Sequence, residues 1–88
     1  MKVDFKKSFL RDLKRIKEAH VKDRLRETIE SIENAKDFQE VSNLSKIKYG
    51  DRYYRIRIGD YRLGIILEGD TITLVRFLHR KDLYRYFP

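Results

Sequence analysis

The sequence predicts an α+β domain, a helical hairpin packed on a small, mainly antiparallel, twisted β-sheet, and three observations predict it. Between Phe5 and Ala35 the apolar residues recur at intervals of three and four, the period of a helix. From Tyr53 onward the period falls to two, and aromatic and β-branched residues take over, as in half-buried strands. That stretch is punctuated by Gly59-Asp60 and Gly69-Asp70, pairs suited to tight hairpin turns. The 88 residues carry no repeat or low-complexity segment, which fits a single domain over residues 1–88.

Residues 2–6 read as a short strand. Phe5, Phe9, Leu13 and Ile16 then form the apolar stripe of a first helix, with Ser8 or Asp4 as its N-cap. Lys6, Lys7, Arg11, Lys14, Arg15 and Lys17 occupy the rest of its surface and read as a solvated face. Val21, Leu25, Ile29 and Ile32 form the stripe of a second helix ending near Ala35. The short junction around His20 makes the two helices antiparallel neighbours, and their stripes require a sheet to cover. Residues 36–52 show no period beyond a short strand near residues 44–47.

In Tyr53–Ile58, alternation puts Tyr54, Ile56 and Ile58 on one face and Tyr53, Arg55 and Arg57 on the other. A two-residue turn at Gly59-Asp60 then sets Ile58 opposite Tyr61, Arg57 opposite Arg62 and Arg55 opposite Gly64. The face under the helices collects Tyr54, Ile56, Ile58, Tyr61, Leu63, Ile65 and Leu67. A similar turn at Gly69-Asp70 leads into a third strand from Thr71 to Leu78. It places Ile72 and Leu74 on the core face, with Thr73, Val75, Phe77 and His79 on the arginine face. The same register points Arg76 inward, so a bulge or a longer turn stays open.

The 21 Lys and Arg against 14 Asp and Glu give a formal charge of +7, a large excess for so short a chain. A polyanionic partner is implied. Nucleic acid fits best because each neutralised phosphate releases counterions, although an anionic membrane or an acidic protein also responds to such a charge. The absence of cysteine excludes a disulfide framework and thiolate metal sites, and two histidines offer little for zinc, so no metal or cofactor is expected. No stretch approaches the roughly 20 apolar residues of a membrane span, and the N-terminus lacks an apolar signal core. The expectation is a cytoplasmic protein without a membrane partner.

Like charges directly opposed on a sheet destabilise it, so Arg57 facing Arg62 with Arg55 alongside calls for an acid of the same domain or for a bound anion. The run His79-Arg80-Lys81-Asp82-Leu83-Tyr84-Arg85-Tyr86 adds an imidazole, further cations and two phenols after the third strand. By themselves Tyr84 and Tyr86 are equally core fillers, and His79 a structural strand end.

Tyr54-Arg55-Ile56-Arg57-Ile58-Gly59-Asp60-Tyr61-Arg62, followed by His79-Arg80-Lys81-Asp82-Leu83-Tyr84-Arg85, resembles the RelE/ParE toxin superfamily over the whole chain. The resemblance implies the RelE-like fold and a type II toxin-antitoxin module. The RelE-like branch cuts messenger RNA in the ribosomal A site without a metal, and this branch is favoured. The ParE-like branch inhibits DNA gyrase, and a basic domain that binds nucleic acid with its antitoxin is a third alternative. Implied partners are an acidic, RelB-like antitoxin, the ribosome and messenger RNA, with operator DNA reached only through the antitoxin.

Carried over by motif, the catalytic candidates are Arg62, Arg80, Tyr84 and His79, and Arg55 and Arg57 are RNA-binding candidates; Lys46 and Lys48, outside the motifs, are added as further RNA-binding candidates. Tyr84 resembles the catalytic tyrosine of some members, while His79 matches a second pattern that uses a histidine and a glutamate. The chemistry suits the residue types: attack by a 2′-hydroxyl needs alignment, a base, charge stabilisation and protonation of the leaving oxygen. Arginine forks match phosphate oxygens, and their field favours ionisation of a neighbouring phenol. Tyr84 is therefore the expected base, with Arg80 or His79 on the departing side.

Overall fold

Both tight turns begin on a glycine with positive φ, 59° at Gly59 and 61° at Gly69, where a side chain would be strained. They join β3 (Tyr53–Ile58), β4 (Tyr61–Glu68) and β5 (Thr71–His79) into an antiparallel meander. The computed structural model describes residues 1–47 and 50–88. Before the meander come β1 (Lys2–Phe5), α1 (Lys7–Arg15), α2 (Ala19–Asn34), a 3-10 turn (Phe38–Glu40) and β2 (Leu44–Lys46); after it comes a single-turn helix, α3 (Leu83–Tyr86). The sheet order is β1-β5-β4-β3-β2, with β1 parallel to β5 and the other pairs antiparallel. This is the helical hairpin on a mainly antiparallel sheet that the sequence predicts.

The expected register of β3 against β4 is observed, with Ile58 opposite Tyr61, Arg57 opposite Arg62 and Arg55 opposite Gly64. Under the hairpin, Ile56, Ile58, Leu63, Ile65, Ile72 and Leu74 are buried with Phe9, Ile16, Val21, Leu25 and Ile32 of the helical region. Tyr54, Tyr61 and Leu67 pack at the margin of this core. Apolar burial of this kind, about 25 cal/mol per Å² removed from water, is the main force holding the two layers together.

In β5 the simple two-residue register does not hold. Pairing with β4 runs in step from Thr71 to Leu74, then skips Val75, so that Arg76 faces Gly64 and Phe77 faces Leu63. The extra residue is a β-bulge, and it inverts the face of everything after it. Phe77 is thereby buried in the main core at 1% exposure instead of lying on the arginine face. His79 pairs with Tyr61 on the core side, and Arg76 moves to the opposite side. The inversion spares the core a guanidinium.

Two side chains of α1 hold the bulge. The Ser8 hydroxyl donates to the Val75 carbonyl at 2.6 Å, and the Asp12 carboxylate accepts from the Phe77 amide at 2.9 Å. Asp12 also accepts from Arg76 Nε at 2.7 Å and Nη2 at 3.0 Å, a bidentate pair. With 3% exposure, Asp12 is the buried charged residue among the described ones, and these three donors compensate its desolvation. Ser8 is thus committed to β5, and neither it nor Asp4 caps α1. The N-cap position is Lys6, without a side-chain cap bond.

Candidate functional site

On the side of the sheet away from the helices, Arg55 and Arg57 of β3 and Arg62 of β4 stand together beside β2. With Asn43, Leu44 and Ser45 they line a cleft of about 320 Å³. β2 forms its wall because Ser45 pairs with Arg55 and the Arg57 amide donates to the Asn43 carbonyl at 3.1 Å. Asn43 takes a positive φ of 61°, a conformation that asparagine tolerates better than most residues. Asn43 and Ser45 are cleft residues that sequence reasoning misses, because residues 36–52 carry no period.

Arg62 is the inner member of the cluster. Its Nη1 donates to the Gly59 carbonyl at 2.8 Å and to the Tyr61 carbonyl at 2.9 Å, which fixes the fork at the β3–β4 turn. Burial, followed by the like charges of Arg55, Arg57 and Arg80, pushes its pKa below the usual arginine value. Guanidinium groups keep their proton in proteins, so the crowding registers as a demand for negative charge. Arg80 is brought to the same end of the sheet by its amide, which donates to the Asp60 carbonyl at 2.8 Å. Among the described residues Arg55, Arg57, Arg62 and Arg80 form no ion pair, and the nearby charge of Asp60 offsets the crowding at Arg62 only in part.

Tyr84 reaches the cluster through the C-terminal segment. Leu83 and Phe87 are buried with Ile47 against Tyr53, Val75 and Leu78, a second small core that covers part of this face. Phe87 fits because position 64 is glycine: a Cβ there would lie 2.8 Å from the ring. The anchoring leaves Tyr84 exposed, with the Arg55 guanidinium carbon 5.0 Å from its ring centroid, within cation–π range. A glycine inside a strand of large residues signals a close approach, so Gly64 is the trace of Phe87 in the sequence.

The structure therefore brings Arg55, Arg57, Arg62, Arg80 and Tyr84 to one face and leaves other candidates elsewhere. His79 sits on the helix side, edge-on to Tyr61 at 5.7 Å, with Nδ1 accepting from the Lys81 amide at 3.3 Å. Lys46 pairs with Tyr54, on the register of the core side, and meets Asp51 at 3.5 Å. Lys48 lies outside the described residues. Among the described residues no group of three or more His, Asp or Glu side chains is placed to hold a metal ion, and no helix is long and apolar enough to cross a membrane.

A family model for the ParE toxin of type II toxin-antitoxin systems, parDE, matches residues 3–84. The chain belongs to the RelE/ParE toxin superfamily. It is 45% identical to Toxin RelE3 of Methanocaldococcus jannaschii over the full length of both chains. A putative toxin RelE1 of the same organism is 30% identical, with 91% of this chain and 89% of that one covered. Among solved structures, a chain of the RelB-RelE antitoxin-toxin complex from Methanococcus jannaschii superposes with a TM-score of 0.81 at 42% identity, covering 97% of this chain and 99% of that chain. A conserved hypothetical protein from Helicobacter pylori shares the fold, at 19% identity and a TM-score of 0.60, with 92% of this chain and 96% of that one covered. This RelE/ParE chain is accordingly a toxin of the type II toxin-antitoxin class.

Proposed function

We propose that this toxin is a metal-independent endoribonuclease that cuts messenger RNA on the ribosome, and that its reaction takes place on the arginine face. The observation that carries the reading is the set of four guanidiniums that form no ion pair among the described residues, joined at Arg55 by an exposed phenol. Such a set matches a phosphodiester that gains charge as it reacts.

Arg55 and Arg57, on the open side of the cleft, hold the phosphates flanking the scissile bond. Arg62, pinned by two carbonyls, is preorganised to stabilise the phosphorane oxygens at little reorganisation cost. Tyr84 removes the proton of the attacking 2′-hydroxyl, with the Arg55 charge beside its ring offsetting the negative charge that develops on the phenol. Arg80 keeps its proton and stabilises the charge on the departing 5′-oxygen, which takes its proton from water to leave as the 5′-hydroxyl. His79, on the other side of the sheet, takes no part in this scheme.

The antitoxin-toxin complex formed by the similar RelE chain supports a cognate partner here too, an acidic, RelB-like antitoxin that would neutralise the same arginines. Operator DNA would be reached only through that antitoxin. The ParE name of the matching family model favours a second reading, a toxin that binds DNA gyrase without chemistry. Single-turnover reactions on programmed ribosomes separate the two. The expected products carry a 2′,3′-cyclic phosphate and a 5′-hydroxyl. Intact RNA together with blocked gyrase supercoiling overturns the nuclease reading.

A further inference from the structure

The β3–β4 turn carries two members of the arginine face on three consecutive carbonyls. Those of Gly59 and Tyr61 accept from Arg62 Nη1 at 2.8 and 2.9 Å, and that of Asp60, between them, accepts from the Arg80 amide at 2.8 Å. The Arg62 fork is held there against the like charges of Arg55, Arg57 and Arg80. Repulsion of this kind drives a loosely mounted side chain out into water, and a two-residue turn at the end of a hairpin is among the first parts of a sheet to loosen. The mount therefore has to be stiffened from elsewhere.

The stiffening comes from the helix side. The Tyr61 ring stacks on Phe77 of the core with centroids 5.2 Å apart, and it receives the edge of His79 at 5.7 Å. Glu18, the N-cap residue of α2, comes up to the phenol: burial, and then this carboxylate, raise the Tyr61 pKa above the usual tyrosine value. Arg24 of α2 lies over Gly59, where a Cβ would be 2.7 Å from its Nη1. Glu18, Arg24, Asp60 and Tyr61 meet around a cleft of about 190 Å³. His79 also ties the chain beyond Arg80, its Nδ1 accepting from the Lys81 amide at 3.3 Å and its carbonyl from the Asp82 amide at 2.8 Å.

We propose that Tyr61 is a positioning residue: gripped on the helix side by Phe77, His79 and Glu18, with Arg24 over Gly59, it fixes the turn whose carbonyls set Arg62 and Arg80 in place on the opposite face. Filling the core asks only for apolar volume. A phenol that reaches Glu18 and an imidazole that closes the turn after Arg80 do more than fill, and both rings belong to residues flanking the two arginines in sequence, Tyr61 before Arg62 and His79 before Arg80. Because Tyr61 pairs with His79 across β4 and β5, one cross-strand contact acts on both arginines at once. His79 thus contributes from the helix side, away from the reacting atoms. The effect on cleavage rests on the nuclease function proposed above; the mounting of Arg62 does not.

Tyr61→Leu removes the stack and the phenol, and Tyr61→Phe keeps the stack alone; circular dichroism and melting curves check that each is folded at the assay temperature. In single-turnover cleavage on programmed ribosomes, Tyr61→Leu is expected to lower the rate at saturation by about 10- to 100-fold with the half-saturating concentration unchanged, because a displaced charge-stabilising group weakens the transition state and spares binding. Tyr61→Phe should recover the larger part of the rate. The deciding comparison repeats Tyr61→Leu in an Arg62→Ala background, where a residue that acts through Arg62 costs less than about threefold. An equal loss in both backgrounds overturns the proposal, as does a raised half-saturating concentration at an unchanged rate. Where Tyr61→Leu fails to fold, Arg24→Met, at an exposed position beside the turn, gives the same comparison with a smaller loss. NMR relaxation at Arg62 Nε supplies a reading without RNA: the fork is expected to be ordered in the wild type and mobile in Tyr61→Leu, and equal order in the two overturns the proposal. If the wild-type toxin leaves ribosome-bound messenger RNA intact, the nuclease reading fails, while the relaxation measurement still decides how Arg62 is held.

Discussion

The two faces of the sheet handle charge in opposite ways. On the helix side the buried carboxylate of Asp12 has three donors, and the surrounding surface is apolar. On the other side four arginines gather that form no ion pair among the described residues, and Arg62 is partly buried among the others. An internally compensated charge serves the fold, because any partner it needs is always present. An uncompensated cluster lowers the stability of the free protein and is satisfied only when an anion arrives, so its rationale lies in binding and chemistry.

Substitutions on the two faces should accordingly separate stability from activity. The largest effect is expected at the reacting group: Tyr84→Phe slows the chemical step by about 10²–10⁴-fold, as loss of a general base does, with little change in melting temperature because the side chain is exposed. Single-turnover kinetics on programmed ribosomes measures it, and an unchanged rate removes Tyr84 from the mechanism. On the helix side Asp12→Ala is expected to lower stability by about 3–5 kcal/mol, since it strands the Arg76 guanidinium and the Phe77 amide. Denaturant unfolding reads this directly, and a loss below about 1 kcal/mol contradicts the buried-pair account.

Gly64→Ala tests the coupling between the faces. A methyl group there meets the Phe87 ring, so a cost of about 1–3 kcal/mol is expected, together with slower cleavage as α3 lifts Tyr84 away from Arg55. Adding Phe87→Leu, which vacates ring volume, should restore part of both losses; a double variant as impaired as the sum of the singles denies the contact. The smallest effect is a gain. Arg57→Gln relieves an opposed pair and should stabilise the free protein by a few tenths to about 1 kcal/mol at low salt. Screening should erase this gain at high salt, and the accompanying loss of RNA affinity should narrow as well, because one phosphate contact fewer makes the salt dependence shallower. A variant that is less stable at low salt shows that the arginine face is not under repulsive load.

Where a signal is local, the residues announce it in sequence. The helical stripes of Phe9, Ile16, Leu25 and Ile32, the alternation of β3 and β4, and the glycine turns fix which atoms face the core. One short turn also sets Arg57 against Arg62, so the arginine cleft is legible in the strand pattern alone. What the tertiary structure decided came from groups distant in sequence. The bulge at Val75 is held by Ser8 and Asp12, more than sixty residues earlier, and it moves His79 from the arginine face to the core side. Phe87 finds its seat on Gly64 only when the C-terminal segment folds back, and that seat places Tyr84 beside Arg55. Periodicity reports the face on which a residue starts. An inserted residue in a strand reverses that face, and the contacts that stabilise the insertion exist only in three dimensions.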